Sequence, residues 1–521
     1  IGANTAILSV LYGLVLKPLP FHDSGQIVDV YNMRPKAGQM HQSVSVAQYL
    51  DYNANADLFE GFALWTGWMF NIGEDGGTAR YVGMQVTSEY FSVLGLRPLL
   101  GRFFTKDDCL PGKDLVVVLT QSYWENKFKA DPEIIGTQLR LSGRVFTVVG
   151  VMPRSFEELG VAPLLLKPLE YDPAKVDAQQ RLRWGGDMTA RIRPGVAHSV
   201  ALAQLGTLEK RFFDTTANPE LRTFLTNGGH RMGLIQIRDG GTQKIRNGLL
   251  LLQAGALLVL LLGCVNVASL MLARANTRHA EFAVRATLGA SRGALARQLL
   301  AESTVLAGAG AALGVAMTAA SLRVINVYLD KIIFGVPPVR LDAGVLGLTL
   351  LSAFAVALLI GLLPILRIWG MTDLNQAMQG GTRGATRGGG IRAVSGTLVV
   401  AQVALALMLL IGAGLLMRSF AKVMAINPGF DPRQVIHARV GYDATFKDDA
   451  ALQALQDRLL EKMRQIPGIE SVAYTDRMPG YAENAIVTLP IKGRPVSDDS
   501  IAPSAIGFAA SPEYFSTMGI R

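Results

Sequence analysis

The sequence predicts an α-helical transmembrane bundle that carries large extracytoplasmic α+β domains and contains an internal duplication. Four charge-free runs, Leu249–Leu272, Thr304–Leu322, Ala343–Leu366 and Thr397–Met417, contain no Asp, Glu, Lys or Arg. Each is close to or above the roughly 20 apolar residues needed to cross a hydrocarbon core of about 30 Å. A long stretch ahead of them is more polar and patterned as helices and strands. The phrase "EYFSVLGLR" at Glu89 returns as "EYFSTMGIR" at Glu513, 424 residues later. That spacing is too long for a solenoid repeat and suits duplication of a multi-part unit.

Residues 1–17 read as the second half of a first membrane helix. The apolar stretch Ile1–Leu16 has neither Met nor a basic leader ahead of it and so is not a complete signal peptide. Residues 18–246 read as an extracytoplasmic α+β domain. Within it, "GRVFTVVGVMP" is a β-branched run closed by Gly and Pro, and Val116–Leu119 is a strand leading into a helix that begins near Gln121 or Ser122. Membrane helices follow at 247–272, 298–328, 343–368 and 397–417, separated by a basic segment at 273–297, an external loop at 329–342 and a Gly/Arg-rich linker at 369–396. Residues 418–521 read as the truncated second domain. Its apolar residues Leu452, Leu455, Leu459, Met463 and Ile466 recur at helical spacing ahead of Pro467, Gly468 and the strand-like "IESVAYT".

The basic residues set the orientation. Arg274, Arg278, Arg285, Arg292 and Arg297 face Glu281 alone between the second and third spans, and Arg367, Arg383, Arg387 and Arg392 face Asp373 after the fourth. Both connections are therefore cytoplasmic. The long segment from Lys17 to Arg246 is near neutral, so the net charge of +9 reflects topology and no nucleic acid partner is needed. Cys109 and Cys264 make no disulfide framework, and the six histidines show no metal-ligand spacing. No Gly-x-Ser-x-Gly elbow is present, and "GGTRGATRGGG" lacks the Lys of a phosphate-cradling loop, so no cofactor or catalytic site is expected. "LSGR" at Leu141 precedes a strand and is a coincidence. The spans lack the midplane carboxylates, His or Lys of ion-coupled carriers, which leaves energy to come from elsewhere. Asp107 and Asp108 read as a solvated turn, and Trp65, Trp68, Phe70 and Tyr81 as sheet core.

The motifs "GANTAILSVLYGLVLKPLPF", "TSEYFSVLGLRPLLGRFFTKDD", "LSGRVFTVVGVMPRSF" and "GCVNVASLMLARANTRHAEFAVRATLGASRGALARQLLAES" together resemble the MacB/FtsX-type permeases of ABC transporters. The resemblance is to their duplicated orphan subgroup, in which a four-span unit occurs twice. It implies an FtsX-like bundle with MacB-type periplasmic core domains in a bacterial inner membrane. It also implies a separate ABC ATPase as partner, a possible periplasmic adaptor, and an intramolecular pseudo-dimer of the two repeats. The chain itself is then a permease and not an enzyme.

Two groups of residues are singled out. Arg278, Glu281 and Arg285 share one face of a short helix that also carries Phe282; Gly289 suits its end, Ser291 the start of the next helix, and Arg292 follows. The resemblance makes this the coupling helix that docks on the ATPase; an elbow that touches only lipid headgroups is the alternative. In the spans, Gly308, Gly310 and Gly314 form a small-residue face suited to close helix packing, and Asn266, with Asn4 and Ser269, suits interhelical hydrogen bonding. The rival function is a membrane-anchored receptor or binding protein without ATPase coupling.

Overall fold

The computed structural model describes residues 1–17, 19–37, 39–74, 77–159, 163–176, 185–215, 226, 228–277, 281, 284–285, 288, 291–332, 339, 341–369, 389–431, 435–438, 440, 449–476, 486–488 and 504–520. The chain divides into two compact units, Ile1–Lys17 with Gly241–Ile426, and Pro18–Gly240 with Asn427–Arg521.

The second unit is built on a large mixed sheet. Its first elements are β1 (Ile27–Arg34), β2 (Gln39–Gln42), α2 (Val46–Asn55), β3 (Phe59–Glu74), β4 (Gly77–Val86) and α3 (Tyr90–Leu94), α1 lying in the other unit. Then come β5 (Leu100–Gly101), β6 (Val116–Leu119), α4 (Gln121–Phe128), β7 (Gln138–Leu141), β8 (Arg144–Val151), β9 (Leu165–Pro168), β10 (Asp187–Ile192), α5 (His198–Thr215) and β11 (Arg231–Gln236). The strand order is β11-β1-β10-β3-β4-β9-β6-β8-β5, with β2 on β1 and β7 on β8. Most neighbours are antiparallel; β4 with β9 and β6 with β8 run parallel.

Side chains alternate across the sheet with period 2. Val28, Val30, Phe62, Leu64, Met188 and Ala190 face one way and pack with Tyr49 and Tyr52 of α2 and Ala201 and Leu205 of α5. Ile27 and Ala63, on the opposite face, pack with Tyr90, Phe91, Val93 and Leu94 of α3. The far end of the sheet has its own core around Phe70, Val117, Leu119, Phe146 and Val148. Ser45 and Gln48 close a reciprocal capping box at the start of α2. Gln48 also reaches the buried Glu209 of α5 at 2.9 Å, where Tyr52 and His230 meet the same carboxylate.

Two expectations change. Asp108 is not a solvated turn residue. Arg102 donates to both of its oxygens at 2.7 and 3.1 Å, and the Thr105 amide and hydroxyl bind it as well, so the carboxylate staples the loop after β5. Burial pushes the Asp108 carboxyl up, and these hydrogen bonds outweigh it and hold the group below the usual range. The segment "IESVAYT" forms no strand. A bridge joins Thr475 to Ala510, and Tyr474 and Ser511 are hydrogen-bonded.

In the first unit, α1 (Gly2–Leu11) continues as a wider turn to Leu16. It is accompanied by α6 (Ile237–Thr277, whose first residues belong to the other unit), α7 (Arg292–Ile332), α8 (Ala343–Trp369) and α9 (Gly389–Met424). Arg246–Met271, Leu300–Tyr328 and Gly396–Met424 are long and apolar enough to cross a membrane, and Gly2–Leu11 and Ala343–Leu358 are shorter apolar helices among the described residues. The second unit also holds α10 (Asp449–Arg464), the hairpin of β12 (Ile486–Thr488) with β13 (Ser504–Ile506), and α11 (Tyr514–Thr517).

Candidate functional site

The elbow between α6 and α7 is short, charged and helical where described. The Leu288 amide donates to the Val284 carbonyl at 3.1 Å, one helical turn back. Glu281 and Arg285, four residues apart, form an ion pair at 2.6 Å. Such an exposed helix pair contributes only about 0.3–0.5 kcal/mol, so its value lies in orientation more than in stability. The other arm of Arg285 donates to Gln298 Oε1 of α7 at 2.8 Å, which ties the elbow to the start of that helix. Ser291 Oγ accepts the Ala294 amide at 3.2 Å and caps α7.

Val284 is 57% and Leu288 83% exposed, one turn apart on the elbow. Together with the Glu281–Arg285 pair they present an apolar ridge edged by both signs of charge. Leu288 was not among the residues singled out from the sequence, although its spacing of four from Val284 marks it. Arg278, Phe282 and Gly289 lie outside the described residues; Arg292 is the first residue of α7, and its side chain lies outside them too.

The intramembrane candidates fall in different surroundings. A Cβ on Gly314 would lie 2.9 Å from Ile1 Cγ2 and 3.0 Å from the Gly2 amide nitrogen, so α1 crosses α7 at this glycine. Thr318 Oγ1 donates to the Gly2 carbonyl nearby at 3.0 Å, and Thr5 and Thr349 share a buried hydroxyl contact at 3.1 Å between α1 and α8. Gly310 lines an apolar cavity of 930 Å³ bounded by α1, α6, α7, α8 and α9, and Gly308 faces open space. Asn266 is exposed on α6. The interhelical bond comes instead from its neighbour: Gln402 of α9 donates to Ser269 of α6 at 3.2 Å. Gln402 is the lone amide in the run 397–417, and that was the signal available for it. Asn4 accepts a hydrogen bond from Gln253 of α6. Among the described residues, no group of three or more His, Cys, Asp or Glu could hold a metal.

Comparison with known proteins agrees with both units. Residues 1–208 match the family model of the MacB-like periplasmic core domain, and residues 254–372 that of the FtsX-like permease C-terminal region. The macrolide export ATP-binding/permease protein MacB of Neisseria meningitidis is 27% identical over 263 residues, 49% of this chain and 38% of that protein. MacB of Shigella flexneri is 24% identical over 287 residues, 54% of this chain and 40% of that protein. The chain thus spans about two fifths of the length of the curated relatives it matches. Among solved structures, the periplasmic region of MacB from Actinobacillus actinomycetemcomitans aligns with a TM-score of 0.31 at 19% identity, covering 46% of this chain and 98% of that one. A domain of a putative permease protein from Porphyromonas gingivalis aligns with a TM-score of 0.30 at 17% identity, covering 42% and 92%. The chain is a multi-pass membrane protein with a periplasmic domain, in which a MacB-like periplasmic core domain is followed by an FtsX-like permease domain.

Proposed function

We propose that the chain is the permease component of an ABC transporter in which a separate ATPase docks on the elbow between α6 and α7 and drives movement of the periplasmic domains for export. Macrolide-like cargo is the class the relatives' names supply. The observation that carries the reading is the elbow itself, where Arg285 is fixed by Glu281 and Gln298 while Val284 and Leu288 stand exposed. An ordered ridge of this kind suits a groove on a partner protein better than lipid headgroups, which would need no defined geometry.

The duplicated orphan architecture belongs to the same proposal. The two EYFS phrases are built alike. In the first, Thr87 exchanges backbone and hydroxyl bonds with Leu64, and Gly95 closes α3 with a φ of +71°. In the second, Ser511 bonds Tyr474 in the same way, and Gly519 follows α11 with a φ of +64°. Like geometry at both places supports two copies of one domain.

A pull-down tests the docking. Full-length chain solubilised from its own membrane should retain an ABC ATPase, and Arg285→Glu with Leu288→Asp should release it without changing the melting temperature of the chain. Retention of the ATPase by that double variant, or its absence from the wild-type preparation, would favour a membrane-anchored receptor.

A further inference from the structure

Arg191 occupies an unusual place on β10. It lies on the sheet face that carries Ile27 and α3, with its side chain 7% exposed. Nε donates to the Val93 carbonyl at the C-terminal end of α3 at 2.8 Å, and Nη1 donates to the His22 carbonyl at 3.0 Å. Nη2 is buried without a hydrogen-bond partner and sits 3.3 Å from where a Cβ on Gly95 would stand. The nearest acid, Glu60, is 3.9 Å from Nε. The guanidinium therefore spends its fork on two backbone carbonyls from segments about 70 residues apart in sequence, a use that its planar geometry permits and an ammonium would not.

His22 lies in the chain that follows α1. Leu19 and Phe21, from the same stretch, pack into the cluster of Tyr90 and Phe91, and so does Ile237, where α6 begins. The two ends of the first domain thus enter one cluster, and α3 sits in it. The second phrase repeats the relation by a different bond. The Asp431 amide, in the chain that follows α9, donates to the Met518 carbonyl at the end of α11 at 3.0 Å. A Cβ on Gly519 would stand 3.6 Å from Asp431 Cβ. In both places the end of the EYFS helix receives the chain arriving from an apolar helix.

We infer that the EYFS helix is the joint that anchors the chain where it enters each periplasmic domain, and that Arg191 is the positioning residue that closes the joint in the first copy. The inference rests on the permease reading above. It also accounts for the return of this phrase so late in the chain: a joint must be kept wherever a helix enters a domain.

The test is hydrogen exchange on the full-length chain with its ATPase in lipid nanodiscs, with and without ATP and vanadate. The wild type should show an ATP-dependent change at amides 91–96. Arg191→Met should lose that change while ATP is still hydrolysed. Should Arg191→Met fail to fold, Arg191→Lys keeps the charge but cannot bridge both carbonyls, and it should show a reduced change. A residue of merely structural importance would lower the melting temperature and leave the ATP-dependent part in place. A wild-type response in either folded variant overturns the joint alone; no response in the wild type overturns the permease reading and the joint with it.

Discussion

Burial sets the chemistry of Asp29. Its carboxylate sits on β1 opposite Thr189, whose hydroxyl donates to it at 3.0 Å while also accepting the Trp65 indole N–H. Desolvation pushes the Asp29 carboxyl up to about 7; the Thr189 hydrogen bond opposes this, and the neighbouring Asp187 adds to it. Asp187 is itself raised by burial, with His41 pulling it back, and His41 stacks on Tyr31 at 4.1 Å on the same face. The group is therefore largely neutral in the fold at pH 5 and charged at pH 8. A pKa raised on folding stabilises fully below the unfolded value near 3.8, and that stability is lost as pH rises through about 7. Asp29→Asn keeps the acceptor for Thr189 and cannot ionise. Its melting temperature relative to wild type should be higher at pH 8, with a gain that shrinks as pH falls through the window from about 7 to 3.8 and vanishes below it; a gain independent of pH would show that Asp29 carries no such penalty.

At the scale of elements, the contact between α1 and α7 rests on the missing side chain at Gly314. Overpacking a close helix contact costs about 1–3 kcal/mol, and here the nearest atoms belong to the Gly2 backbone and the Ile1 side chain, so α1 has to move. Gly314→Leu should therefore lower the disulfide yield of a Thr5→Cys, Thr349→Cys pair, placed where two hydroxyls now meet at 3.1 Å. Gly308→Leu, introduced where nothing lies within 4 Å, should leave that yield unchanged. Equal yields in the two backgrounds would remove Gly314 from the packing argument. Much of this level is legible in sequence. The β-branched runs at Val116–Leu119 and Arg144–Val151 become strands because their alternation fits a half-buried sheet, and the charge-free runs become long helices. The parallel pairing of β4 with β9 and of β6 with β8 is not legible, since it depends on contacts between distant segments. Arg191 is hidden for the same reason: in "TARIR" it is one charged residue among others until folding brings Val93 and His22 to its fork. The elbow is half legible, its ion pair following from a spacing of four, while the Gln298 tether needs α7 to turn back toward it.

At the scale of the whole molecule, the consequence of two joints in one chain is stoichiometric. If the proposed ATPase acts as a pair, it needs two docking elbows, and a permease with one elbow would have to dimerise to supply them. A chain that carries both halves raises the effective concentration of each for the other and replaces a twofold dimer with a pseudo-twofold monomer. The likeness of the two EYFS phrases, down to the hydroxyl bonds of Thr87 and Ser511 and the left-handed Gly95 and Gly519, favours that arrangement at the level of the fold. Under the proposed duplication, Gln402 of α9 donating to Ser269 of α6 would join the helix that opens the second copy to the first. Native mass spectrometry of the complete complex released from nanodiscs should accordingly give one permease chain for each pair of ATPase subunits. Gln402→Leu should leave that ratio intact, because covalent linkage already holds the halves together. Two permease chains per ATPase pair would mean that each chain contributes a single functional half and that the recurrence of the phrase has some other origin.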